Sequence, residues 1–146
     1  MENVRIIIVD DDVSIVQTIK EILELTGYDT DTADTAKEGL EKIRRNDYNL
    51  ALFDIMLPDM LGTELLAEAH KEKPKMKKIM VTGFASLENA VLALNSGADA
   101  YIMKPVNPEN LLKVIEEKLI EQEKEERLNE DKVSDWIEDR LNNLDT

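Results

Sequence analysis

The chain is expected to fold as an α/β domain, a parallel five-stranded sheet doubly wound with helices on both faces. Three observations predict this. Short apolar, β-branched runs alternate five times with stretches of helical periodicity, the pattern of repeated strand–helix units with right-handed crossovers. The central run, residues 49–53, is almost wholly apolar, as in a strand covered on both faces. It then meets a lone carboxylate, Asp54, and turn-forming Pro58 and Asp59, which puts Asp54 at the carboxyl end of a central strand, where open α/β sheets hold their ligands.

Each element has its own signal. Residues 4–9 form a β-branched strand that stops at Asp10, Asp11 and Asp12. Ile15, Val16, Ile19, Ile22 and Leu23 then recur at helical spacing, with Asp12 as N-cap and Gly27 as the stop. Residues 28–33 alternate as a half-exposed edge strand does. Thr35 and Glu38 make a capping box for a helix with Ala36, Leu40 and Ile43 inward. After the Asp54 strand a helix is expected over residues 63–73, then a short strand over 78–81 ending at Thr82 and Gly83. Ser86 caps a helix with Ala90, Val91 and Leu94 inward, which Gly97 ends. A fifth strand, residues 100–103, ends at Lys104 and Pro105. Asn107 and Pro108, an N-cap and a first-turn proline, open the last helix, with Leu111, Leu112, Ile115 and Leu119 inward.

Composition bounds the function. The 146 residues suffice for one core burying roughly two thirds of the unfolded surface. No apolar run approaches the ~18 residues of a membrane span, and the N-terminus lacks the basic stretch and cleavage site of a signal peptide. With no cysteine there is neither a disulfide framework nor a thiolate metal site. A cytoplasmic location without membrane insertion is expected. The net charge of −14 opposes direct nucleic-acid binding, which needs Lys and Arg against phosphate.

The polar residues that end the strands are the candidate site: Asp10 to Asp12 on the first strand, Asp54 on the third, Thr82 on the fourth and Lys104 on the fifth. In a doubly wound sheet these ends share one rim, with a crevice where the strand order reverses. Carboxylates gathered there repel one another, which raises their pKa values and costs stability. A hard divalent cation removes that penalty, and Mg²⁺ suits a few carboxylates plus retained waters. Lys104 adds a fixed positive charge and Thr82 a hydroxyl donor. This set serves attack by Asp54 on phosphorus, giving an aspartyl phosphate. Singly, each residue has a plainer role as cap, turn former or surface lysine. Their joint placement at four strand ends carries the reading. His70, the one histidine, is expected on the surface of the third helix.

The isoleucine-rich run closing on Asp10 and Asp11, Asp54 followed by Pro58 and Gly62, Thr82 with Gly83, and Lys104 with Pro105 together resemble the receiver domain of two-component response regulators, over about residues 4–119. The resemblance implies a flavodoxin-like sheet of order 2-1-3-4-5. It implies that Asp54 is the phosphoacceptor, that Asp11 and Asp54 bind Mg²⁺ directly and Asp10 through water, and that the Met56 backbone carbonyl is a further ligand. Lys104 would pair with phosphoryl oxygens and Thr82 would move to hydrogen-bond them. Tyr101, three residues before Lys104, matches the switch aromatic that turns inward as Thr82 moves. The phosphoryl donor would be a sensor histidine kinase. The face formed by the fourth helix, fifth strand and fifth helix would then meet a downstream protein target or a second copy. Such a domain is no enzyme beyond catalysing its own phosphorylation and dephosphorylation. Moving a 1:99 population to 99:1 takes about 5.5 kcal/mol, within reach of a few charge-assisted hydrogen bonds.

Two departures stand out. Met56 and Phe84, two residues beyond the phosphoacceptor and the threonine, occupy positions that influence hydrolysis in the family, and neither side chain orients water, so slow self-dephosphorylation is expected. The second departure is the expected division into a receiver domain, residues 1–119, and an acidic helical extension, residues 120–146, in place of a DNA-binding output domain. The extension carries ten acidic and four basic residues, a net of −6. Residues 121–127 are wholly polar and read as solvated. Val133, Trp136, Ile137, Leu141 and Leu144 then form an apolar stripe that either folds back on the domain or serves as a dimerisation or docking helix. The leading function is a phosphorylation switch acting through protein contacts. A phosphorelay intermediate is the near alternative. A haloacid-dehalogenase-type phosphatase is the distant one, since Val13 and Ser14 follow Asp12 where that class needs another pattern.

Overall fold

Five parallel strands and five helices alternate along the chain: β1 (Arg5–Val9), α1 (Val13–Thr26), β2 (Asp29–Ala33), α2 (Ala36–Arg45), β3 (Leu50–Phe53), α3 (Gly62–Glu72), β4 (Lys77–Thr82), α4 (Leu87–Asn95), β5 (Ala100–Met103) and α5 (Pro108–Leu144). This computed structural model describes residues 3–84 and 86–144. Residues 1–2, 85 and 145–146 of the two expected segments lie outside the described residues. The sheet order is β2-β1-β3-β4-β5, as expected. The order reverses between β1 and β3, which puts the crevice beside Asp10 and Asp54.

The period-2 alternation of the strands divides the core in two. Ile7, Val9, Ala51, Phe53 and Met80 face α2, α3 and α4. Ile6, Ile8, Leu50, Leu52, Ile79 and Val81 face α1 and α5. The caps read from the sequence are in place. Asp12 accepts from the Ile15 N–H, Thr35 from Glu38, Ser86 from Asn89 and Asn107 from Asn110. Gly27 ends α1 at φ 99°, a left-handed conformation that favours glycine. No helix among the described residues is long and apolar enough to cross a membrane.

Three expectations need correction. On α4 the buried residue is Ala93, whereas Val91 and Leu94 are 48% and 58% exposed. Residues 91–94 are four apolar side chains in a row, so periodicity could not select the inward face. Second, α5 runs unbroken through residue 119 to Leu144, and its expected solvated stretch contains a buried anchor. Gln122 donates to the carbonyls of Asn49 (2.8 Å) and Lys75 (2.9 Å). Beyond it Val133, Trp136, Ile137, Leu141 and Leu144 stand exposed, so the stripe does not fold back. Third, β4 begins one residue early, at Lys77, and both Lys77 and Lys78 are buried. Lys77 Nζ reaches Glu125 at 3.0 Å and Asp99 at 3.8 Å. Lys78 Nζ donates to the Lys73 carbonyl at 2.7 Å and lies 3.1 Å from His70 Nδ1.

Candidate functional site

Backbone bonds that extend the ladder past the strands fix the site residues before any side chain acts. The Asp10 N–H donates to Ala33, the Asp54 N–H to Val9 and the Lys104 N–H to Thr82, at 2.9–3.1 Å. The turn after Asp54 is held from below by α3. Gly62 donates its N–H to the Ile55 carbonyl, and a Cβ at this position would lie 1.9 Å from the Asp54 carbonyl oxygen. Only glycine lets the start of α3 approach this closely. Asp59 ties the same turn to α2, accepting from the N–H groups of Ala36 (2.8 Å) and Lys37 (2.9 Å). Those two bonds to the Lys37 and Ala36 N–H groups hold its pKa below the ordinary carboxylate value.

The side chains converge as the strand ends predict. Asp10 and Asp54 are about 5% exposed and Thr82 is fully buried. Lys104 Nζ lies 2.8 Å from Asp10 Oδ2 and 3.3 Å from Asp54 Oδ2, clamping β1 and β3 from β5. Asp10 Oδ1 accepts the Asp12 N–H at 3.0 Å, and Thr82 Oγ1 accepts the Phe84 N–H at 3.0 Å. Burial pushes the Asp10 pKa up, and the bonds from Lys104 and the Asp12 N–H only partly offset it. For Lys104 burial acts downward, but the bond and charge of Asp10, followed by Asp54, outweigh it and raise its pKa. Lys104 is therefore a fixed cation.

Asp54 Oδ1 is buried and has no hydrogen-bond partner among the described residues. A buried carboxylate oxygen without a donor is costly unless something cationic or a reacting group meets it. Carboxylate oxygens of Asp10, Asp11 and Asp54 lie within 4.8 Å of one another, and that all-oxygen set fits a hard divalent cation. Met56 sits in the turn after Asp54, bridged to Leu61, with its side chain 45% exposed. Tyr101 lies on β5 with its ring against the core on the α2–α4 side. Its hydroxyl is buried near the Ser86 backbone with no well-aligned hydrogen bond among the described residues, and burial pushes its pKa up while the Ser86 backbone acts downward. His70 is exposed, as expected, though its ring packs where a Cβ on Gly97 would fall.

The structure thus brings Asp10, Asp11, Asp54 and Lys104 to one point on the crevice, with Thr82 on the adjoining strand end. Sequence reasoning missed the Asp59 cap, because a carboxylate within a turn gives no sign of the helix it will cap from across the fold.

This arrangement defines a class, the doubly wound receiver with an acidic crevice, and comparison with known proteins agrees. The family profile of the response regulator receiver domain matches residues 6–116, and the chain belongs to that family. A CheY-like response regulator receiver domain protein from Methanospirillum hungatei JF-1 is 65% identical in sequence. Its crystal structure has a TM-score of 0.83, over 85% of this chain and 99% of that one. The signal receiver domain of a Luxo repressor protein from Vibrio parahaemolyticus gives 0.81 at 25% identity, over 86% and 97%. The transcriptional regulatory protein ZraR of Escherichia coli K12 is 32% identical over 81% of this chain and 27% of its own length. The cell cycle response regulator CtrA of Brucella ovis is 33% identical over 74% and 47%. The match therefore spans less than half the length of these two relatives. The chain is a signalling domain of two-component systems, and receiver domains bind Mg²⁺ at an acidic pocket of this kind.

Proposed function

We propose that the chain is a phosphorylation-dependent switch in which Asp54 accepts a phosphoryl group from a sensor histidine kinase. The observation that carries this is the free, buried Oδ1 of Asp54 beside a lysine already committed to both carboxylates. Asp54 Oδ1 forms a bond to phosphorus while the bond from phosphorus to the donor's imidazole nitrogen breaks, its electron pair leaving with the imidazole. Lys104 balances charge on the phosphoryl oxygens, and Thr82 turns from the Phe84 N–H to donate to one of them. Asp10, Asp11, Asp54 and the Met56 carbonyl would hold Mg²⁺. The cation, when bound, neutralises the carboxylates and polarises the phosphoryl group.

Tyr101 reports the switch to the face of α4, β5 and α5. Leu87, Val91, Leu94 and Met103 are all about half exposed or more there, an apolar surface for a downstream protein or a second copy. We read residues 1–119 as the receiver and 120–146 as an acidic extension, in the cytoplasm, catalysing only its own phosphorylation and dephosphorylation. The test is incubation with Mg²⁺ and acetyl phosphate followed by mass spectrometry. One added phosphoryl group in the native chain and none in Asp54→Asn is expected. No label, or a label that persists in Asp54→Asn, overturns the proposal.

A further inference from the structure

The free half of α5 carries a second pattern. Glu126, Glu130, Val133, Ile137, Arg140 and Leu144 follow one another at intervals of four and three residues, the spacing of a helix–helix seam. Trp136 and Leu141 flank it. All of these apolar side chains are exposed, Val133, Trp136 and Leu141 by more than half. The seam continues the face on which Leu111, Ile115, Leu119 and Gln122 are buried against the body. A shallow groove between Lys75 and Glu126, Glu130, Val133 and Ile137 lies along it.

We propose that this segment pairs with the same segment of a second copy in antiparallel orientation, centred near Asp135. The seam reads the same in both directions about that point. Val133 of each copy then meets Ile137 of the other, and Glu126 meets Leu144. Each Glu130 meets Arg140, giving two interchain ion pairs. In the single chain Arg140 lies over the ring of the flanking Trp136 at 4.8 Å. A parallel pair would set Glu130 against Glu130 and Arg140 against Arg140, and like charges at seam positions select against that orientation. Charge complementarity within one chain thus favours a second copy over an unrelated partner and fixes the direction. The register also keeps the two receiver bodies at opposite ends, because the body holds α5 only as far as Gln122 and Glu125.

Sedimentation equilibrium of the full chain at micromolar concentrations should show a dimer, and Ile137→Asp should make it monomeric without loss of helical signal. E130R and R140E should each weaken the dimer about tenfold, and the double exchange in one chain should restore it. In a cysteine-free chain, E126C and L144C should form a disulfide only when the two variants are mixed. In this register two copies of position 126 lie about 27 Å apart along the axis. A monomer at all concentrations, a dimer that survives Ile137→Asp, failure of the double exchange to restore pairing, or self-crosslinking by E126C alone would each overturn the proposal. None of these readouts depends on phosphorylation.

Discussion

Lys104, part-buried, and Lys78, fully buried, sit at opposite rims of the same sheet, and their environments push them in opposite directions. Lys104, at the carboxyl rim, is held by Asp10 and Asp54, and its pKa rises. Lys78, at the amino rim, has a carbonyl and an imidazole nitrogen for company. Burial pulls its pKa down to about 8, with the more distant Asp99 opposing and Lys77 assisting. The polar groups around it are satisfied: Lys77 has Glu125, and Gln122 has two carbonyls. The carboxyl rim is left incomplete, with Asp54 Oδ1 buried and unpartnered among the described residues. One rim is finished structure. The other holds an open position for a reaction, and that incompleteness distinguishes a site from a merely buried charge.

The sharpest way to break this contrast is at Lys104. Lys104→Met should slow labelling of Asp54 by acetyl phosphate by about 10²–10³-fold, the usual cost of losing a preorganised charge aimed at the reacting group. Circular dichroism should show the fold retained; unchanged labelling would mean that Lys104 is only a strut. Gly62→Ala comes next. Its Cβ would collide with the Asp54 backbone, so urea unfolding should register a loss of about 2–3 kcal/mol, with labelling impaired as well.

At the amino rim, Lys78 should reveal itself through pH. Between pH 8 and the ordinary lysine value the unfolded chain keeps the proton that the folded chain sheds, so stability rises with pH across that window, by roughly 2–3 kcal/mol if fully expressed. Urea titrations from pH 7 to 10 should show this rise, and Lys78→Met should flatten it. A rise that persists in the variant would place the titrating group elsewhere.

Returning to the carboxyl rim, Met56→Asn and Phe84→Glu place water-orienting groups beside the phosphoryl position, and each should shorten the phosphoryl lifetime by about tenfold. Unchanged decay would show that neither position limits hydrolysis. The smallest effect belongs to Gln122→Ala, expected to cost about 1–2 kcal/mol by leaving the Asn49 and Lys75 carbonyls without a donor.

The two rims also differ in how far the sequence disclosed them. Asp10, Asp54, Thr82 and Lys104 were legible because each directly follows an apolar run, so one local pattern located both the strand and its polar end. The caps came from equally local signals, whereas the sheet order came from the resemblance to the receiver family. Lys77 and Lys78 were not legible. Lys77 read as loop and Lys78 as the start of a strand, neither as a buried group, since charged residues are seldom buried, and the groups that receive them, from Glu125 to the Lys73 carbonyl, are fixed only by the tertiary fold. Gln122 was hidden for the same reason, a polar residue in a polar run whose acceptors lie on two loops. On α4 the failure was one of excess, because too many apolar residues left no face marked as inner.

The unbroken course of α5 has a mechanical consequence. The helix starts a few residues after Lys104, is pinned at Gln122, and continues about 30 Å further at 1.5 Å per residue. It is a stiff arm with its fulcrum at the amino rim and its short end at the reacting crevice. A tilt of about 5° at the fulcrum would swing the far tip by about 3 Å at that length. Small adjustments around Lys104 would thus arrive magnified at Trp136 and beyond, without any loop having to refold.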